Sequence, residues 1–219
     1  MSAQKKYMEI VEHYEACLRQ HGDTHLGVDW PIEKDTHLRH QVMLDVIRES
    51  GDTAVSLLDF GCGTSHLYDY LQRGNYPRVE YIGLDISAEY VRVAQAKYPH
   101  LAYHCLDVLA AGTAIPDVDY VVMNGVFTEK RGLSFEEMWA YFQQVLIAVF
   151  PHVRRGLAVN VMSKHVDWER DELFHLPMDV LAAFLKEKIS RHWVLRHEYG
   201  LYEYTVYLYK APGGAIFSS

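Results

Sequence analysis

The stretch Leu57-Leu58-Asp59-Phe60-Gly61-Cys62-Gly63-Thr64-Ser65-His66-Leu67 decides how this chain is read. An apolar run leads into Asp59, two glycines follow with one residue between them, and a segment of helical spacing comes next. A short run of this kind predicts a strand buried on both faces, as in a parallel sheet covered by helices. Gly61 and Gly63 let the backbone come closer to a ligand than a Cβ would permit. Strand, glycine turn and helix in that order put the ligand at the carboxyl end of an open α/β sheet.

The neighbouring segments support that reading. Further strands are predicted at 79–84, 101–106, 118–123 and 157–162, alternating with helices near 65–73, 87–98 and 134–150. The last of these helices opens with Ser134-Phe135-Glu136-Glu137, a capping-box sequence. Such alternation predicts a parallel sheet with helices on both faces. A helix at 178–189 and strands at 193–199 and 204–209 close the pattern. The short gap at Gly200 permits only a reversal, so one of the last strands runs antiparallel. Upstream, Tyr7, Ile10, Val11, Tyr14, Cys17 and Leu18 mark one face of a helix ending near Gly22. A loop broken by Pro31 leads to a second helix, with Asp35 as its N-cap, a buried stripe from Leu38 to Ile47 and a stop at Gly51. The tail PGGAIFSS reads as a loose terminus. The expectation is one α/β domain over 1–219, three layers deep, with about seven mostly parallel strands and residues 1–50 as an N-terminal helical lid.

Composition narrows the function. The 219 residues carry 29 acidic and 21 Lys or Arg side chains, a formal charge of −8, with 49% apolar and 23% charged residues. That balance suits a globular enzyme and argues against a nucleic-acid partner, whose phosphates call for Lys and Arg. Cys17, Cys62 and Cys105 are too few and too widely spaced for a disulfide framework and read as reduced thiols. No apolar run approaches the roughly 20 residues of a membrane span. The opening MSAQKKYMEIVEHYE has no secretion-type apolar core, so a cytoplasmic protein is expected.

Two ligand classes compete for the glycine turn. A dinucleotide fingerprint would need glycine where His66 stands, and its pyrophosphate would sit poorly beside Asp59. A cationic ligand suits the carboxylate better. Here DFGCGTS resembles the first motif of the class I methyltransferases, which use S-adenosylmethionine, with Ser65 in place of the last glycine. The resemblance implies a Rossmann-like fold and a cofactor cradle of Asp59, Gly61, Cys62 and Gly63. It also implies that Asp85, 22 residues beyond Gly63, grips ribose hydroxyls while Ile86 packs on adenine. Asp107 and the Val108 backbone would meet the adenine edge, and Arg39 would pair with the methionine carboxylate. Asn124 would sit nearest the transferred methyl, orienting the acceptor, and Trp30 would close over the substrate.

The loop after the fifth strand is expected to overhang the cofactor. His165 there is the candidate general base, since an unperturbed histidine titrates near neutrality, and Trp168 is a candidate acceptor contact. No metal is expected, because Asp167, Asp171 and His175 match no standard ligand spacing and Asn124 stands where a magnesium-binding carboxylate would be expected. His13, His21, His25, His37, His40 and His192 read as surface residues without convergent partners. Elimination leaves an oxygen or nitrogen of a small metabolite as acceptor, since Asn124-Gly125-Val126-Phe127 is not the tetrapeptide of adenine or amide methylation. A homodimer is compatible with this reading. The alternatives are a catalytically idle module that binds S-adenosylmethionine and a nicotinamide-dependent oxidoreductase.

Overall fold

Strand β1 (Val55–Phe60) lies inside an eight-stranded sheet, and every residue but one along it is buried, as its unbroken apolar run requires. The computed structural model describes residues 5–48, 53–74, 76 and 78–213. The chain proceeds through α1 (Met8–His21), a single 3-10 turn (Leu26–Val28), α2 (Glu33–Leu44), β1, α3 (His66–Arg73), β2 (Val79–Asp85) and α4 (Ala88–Lys97). It continues with β3 (Ala102–Cys105), β4 (Val118–Phe127), α5 (Phe135–Val149), β5 (Val153–Ser163), β6 (His175–Leu176), α6 (Met178–Phe184), β7 (His192–Arg196) and β8 (Glu203–Tyr209).

The strands lie in the order β3-β2-β1-β4-β5-β8-β7, with the short β6 paired to the end of β5. Pairing is parallel from β3 across to β5, and β8 runs antiparallel to both β5 and β7. From β1 the chain builds outward to β2 and β3, then returns to the other side of β1 as β4. That reversal opens a crevice at the carboxyl ends of β1 and β4, where open α/β sheets bind ligands.

Helices cover both faces. Met138, Phe142, Val145, Leu146 and Val149 of α5 recur at helical spacing and are buried with residues of β4, β5 and β8. On the opposite face, Met43 and Leu44 of α2 and Leu67 and Leu71 of α3 are buried with Leu57 of β1 and Val122 of β4. Each such side chain contributes roughly 1.5–3 kcal/mol when taken fully from water. The α5 capping box forms as expected: Glu137 N–H donates to Ser134 Oγ at 3.2 Å, and Ser134 N–H donates to Glu137 Oε2 at 2.9 Å.

Three local differences have physical causes. Helix α2 starts at Glu33 after extended Ile32, so Asp35 is not the N-cap; it lies in the first turn, where its charge still suits the helix amino end. The predicted 178–189 helix loosens into a π-helical turn over Leu185–Ile189. The eighth strand, β6, consists of two residues and was too short to give a periodic signal. The expected stop at Gly51 and the tail from 214 onward lie outside the described residues.

Candidate active site

The turn after β1 is laced to the end of β2. Gly61 N–H and Cys62 N–H both donate to the Leu84 carbonyl, at 2.7 and 3.0 Å, and Gly63 N–H donates to Asp85 Oδ2 at 3.0 Å. The other Asp85 oxygen accepts from Ser87 N–H at 2.9 Å, so one buried carboxylate orders both the glycine turn and the start of α4. Gly61 has φ +73°, and a Cβ there would meet Val126 Cγ2 at 2.6 Å, which is why only glycine fits.

Asp59, 4% exposed, sits deeper and accepts from Tyr81 Oη at 2.8 Å. Burial pushes its carboxyl up to about 7; the Tyr81 hydroxyl opposes the shift and the nearby Asp85 charge adds to it. Burial also raises the Asp85 carboxyl, against the pull of the amides of Ser87, Gly63 and Ile86. The Cys62 thiol is pushed up by burial in the same place.

A cleft opens above this turn, lined by Asp59, Gly61, Cys62, Gly63, Asp85 and Ile86 on the cofactor-motif side and by Trp30, His40, Asn124 and Val126 on the other. Helix α1 lies across it. Tyr14 Oη donates to the Gly125 carbonyl at 3.2 Å, and Tyr7 stacks on Tyr141 with ring centroids 4.7 Å apart. The Tyr90 hydroxyl lies 2.8 Å from the Tyr14 carbonyl and 2.6 Å from the Gly27 carbonyl, spanning α1 and the loop behind it.

The other sequence candidates fall in two groups. Asp107 stands behind the lining, its carboxylate accepting from Tyr7 Oη at 2.9 Å and from Leu109 N–H at 3.0 Å, while half-buried Val108 packs against the main core. Arg39 is turned away from the cleft: its Nε donates to buried Glu203 at 3.0 Å, and its guanidinium lies 5.3 Å from the Trp30 ring. Glu203 also accepts from Asn160 Nδ2 at 3.0 Å; Asn160 Nδ2 lies 3.4 Å from Asn124 Oδ1, and Asn160 Oδ1 accepts from Gly125 N–H at 2.8 Å. This buried network holds the Asn124 amide from one side and leaves its buried Nδ2 without a hydrogen-bond partner among the described residues.

His165 and Trp168 do not reach the cleft. His165 is exposed, and Trp168 is 71% exposed. The reason is His175, whose Nδ1–H donates to the Ser163 carbonyl at 2.6 Å while its Nε2 accepts from Arg170 N–H at 3.2 Å. That buried imidazole folds the 163–175 loop back on itself. The histidines read as surface residues also divide. His40 is 5% exposed and lines the cleft beside Trp30, with ring centroids 5.4 Å apart, and burial pushes its imidazole down to about 3. His13 Nε2 lies 2.7 Å from Asp29 Oδ2. The signal for His40 was present: it sits three and four residues before Met43 and Leu44, on the buried face of α2.

Residues 58–156 match the family model described as a methyltransferase domain. The chain is 31% identical over 158 residues to "Putative methyltransferase Rv1506c" of Mycobacterium tuberculosis (strain ATCC 25618 / H37Rv), covering 71% of this chain and 93% of that protein. Among solved structures it is similar to magnesium protoporphyrin IX methyltransferase of Synechocystis PCC 6803 with bound SAM, at TM-score 0.62 and 16% identity over 96% of this chain and 100% of the other. It is also similar to 1,6-didemethyltoxoflavin-N1-methyltransferase of Burkholderia thailandensis, at TM-score 0.57 and 15% identity over 90% and 89% of the two chains. Identities at that level speak for a shared fold. The sequence relative, the domain match and the sheet order together put this chain among the class I methyltransferases, the family dependent on S-adenosylmethionine.

Proposed function

We propose that the protein transfers the S-adenosylmethionine methyl group to an oxygen or nitrogen of a small metabolite held between Trp30, His40 and Asn124. The observation that carries this reading is a cleft with two kinds of wall. One is a glycine turn over buried Asp59 and Asp85; the other is an aromatic and amide surface of half-buried Trp30 and Asn124 with buried His40. The cofactor fits the first wall on chemical grounds. Burial raises the cost of ionising both carboxylates, with the Asp85 charge adding to it at Asp59 and the Glu15 charge at Asp85, and a cationic ligand relieves it. Glycine at position 61, favoured by its positive φ and by Val126, puts no side chain into the turn.

S-adenosylmethionine supplies an already activated methyl on a sulfonium sulfur. The work left to the chain is to hold the acceptor in line and to keep water out. Asn124 Nδ2–H, buried and unpartnered among the described residues while Asn160 holds its Oδ1, is the donor that an acceptor's carbonyl or hydroxyl oxygen would satisfy. With its imidazole pushed down to about 3, His40 remains neutral near pH 7 and serves as a hydrogen-bonding partner rather than a strong base. Orientation of this kind can remove on the order of 7–11 kcal/mol of barrier, and α1 lying across the cleft excludes solvent. A small acceptor also agrees with the substrates named for two relatives of the same fold, magnesium protoporphyrin IX and 1,6-didemethyltoxoflavin, and with the net charge of −8.

The test is incubation with methyl-labelled S-adenosylmethionine and a fractionated metabolite extract. Label appearing in a low-mass product is the expected result. Label staying on the donor while S-adenosylhomocysteine binds tightly by calorimetry would favour the idle binding module. Binding of NADH alone would replace the reading with the oxidoreductase.

A further inference from the structure

Helix α1 and the loop after it meet at three side chains of metal-ligand type. His13 and Cys17 are four residues apart and so share one face of α1. Asp29 follows the 3-10 turn with its backbone in the left-handed region, φ 56°, which aspartate tolerates better than most residues. His13 Nε2 stands 2.7 Å from Asp29 Oδ2 and 3.8 Å from Cys17 Sγ. One donor atom from each residue lies within 4.8 Å of the other two, and all three residues are half-buried.

We propose that His13, Cys17 and Asp29 form a binding site for a zinc-type divalent cation that ties α1 to the loop carrying Trp30. A tetrahedral zinc site with Zn–N and Zn–O near 2.1 Å and Zn–S near 2.3 Å sets its donors roughly 3.4–3.6 Å apart. The His13–Cys17 spacing is already close to that value, and the His13–Asp29 pair has to part by less than about 1 Å. Imidazole, thiolate and carboxylate together suit zinc or cobalt better than magnesium or calcium, which prefer all-oxygen shells. A thiolate and a carboxylate balance the charge of a divalent ion, and partial exposure leaves a fourth position for water. The sequence alone suggested no metal because two of the ligands come from the helix and the third lies twelve residues further on, outside any standard spacing. Asp29 immediately precedes Trp30, so the ion would fasten the N-terminal cover at the acceptor end of the cleft. This site stands independently of the methyl acceptor proposed above.

The experiment is titration of the chelator-treated full-length protein with Co(II), read by absorption, followed by displacement with Zn(II). One equivalent should give both a thiolate-to-cobalt charge-transfer band and tetrahedral d–d bands. Cys17→Ser should abolish the charge-transfer band. His13→Gln and Asp29→Asn should each weaken binding by about 10–100-fold or more, the cost of losing even an outer partner of a ligand. His192→Ala, on exposed β7, should leave the titration unchanged. The proposal is overturned by absence of these bands at one equivalent, or by a charge-transfer band that survives Cys17→Ser. Thermal melts of the metal-free variants keep the result readable, since a variant that melts like the parent yet no longer binds cobalt has lost ligation and not its fold.

Discussion

The two walls of the cleft are assembled from different distances along the chain. Asp59, Gly61, Gly63 and Asp85 come from two adjacent strands and the turn between β1 and α3; backbone amides lace the glycines to Leu84 and Asp85, and the Tyr81 hydroxyl of the neighbouring strand holds Asp59. Trp30, His40 and Asn124 come from a loop, a helix and a strand spread over nearly a hundred residues, and side chains hold them: Asn160, itself on Glu203, meets Asn124, His25 meets the Trp30 carbonyl, and the Trp30 ring lies against His40 and Arg39. A wall built by backbone and nearest-neighbour strands tolerates little change in residue type. A wall built by side chains from distant elements can be rebuilt for a new substrate while the first stays put.

The sharpest way to break that comparison is Asp85→Ala. It removes the acceptor for both Gly63 N–H and Ser87 N–H, and a lost charge-assisted hydrogen bond is worth about 1.5–3 kcal/mol. Calorimetry should show S-adenosylmethionine binding weakened by roughly 10–150-fold; unchanged affinity would detach Asp85 from the cofactor wall. Asp59 gives the next effect. Its carboxyl is raised to about 7, so the folded free protein holds a proton that a cationic ligand must displace at lower pH. Affinity for S-adenosylmethionine should therefore rise by up to about tenfold per pH unit as pH approaches 7 and level off above it. Because folding raises this carboxyl above its unfolded value, its contribution to stability falls as pH climbs from about 4 through about 7. Asp59→Asn should thus flatten the binding profile and raise the melting temperature of the ligand-free protein at pH 8.

The second wall predicts smaller effects. Asn124→Ala removes one donor toward the acceptor and should lower kcat/KM for the identified acceptor by about tenfold, with S-adenosylhomocysteine affinity within twofold of the parent. His165→Ala should leave both within about twofold, since that side chain lies outside the cleft. A large loss of kcat in His165→Ala would require the 163–175 loop to swing over the site during the reaction.

The contrast between the walls also explains what could be read without coordinates. Periodicity and glycine placement are local signals, so β1 falls on Val55–Phe60 as expected, the capping box at Ser134 forms, and the glycine turn meets Asp85. Arg39 was legible as a cation near the site but not as the partner of Glu203, 164 residues away. His165 and Trp168 were placed correctly in order along the chain, after β5, yet the direction of their loop depends on where His175 finds its two backbone partners. His40 had a helical register pointing inward that its polarity masked. His13 had only its four-residue spacing to Cys17 as a local signal, because its partner Asp29 is brought to it by the turn at Leu26–Val28.

One phenol joins three parts of the chain. The Tyr90 hydroxyl, rooted in α4 beside the glycine turn, touches carbonyls of both α1 and the segment behind it, so neither piece can lift without giving up that shared contact. A hydroxyl has a single proton to donate, which leaves the two carbonyls competing for it. Any movement that uncovers the cleft on this side has to give up a contact that ties both pieces to α4 at one atom.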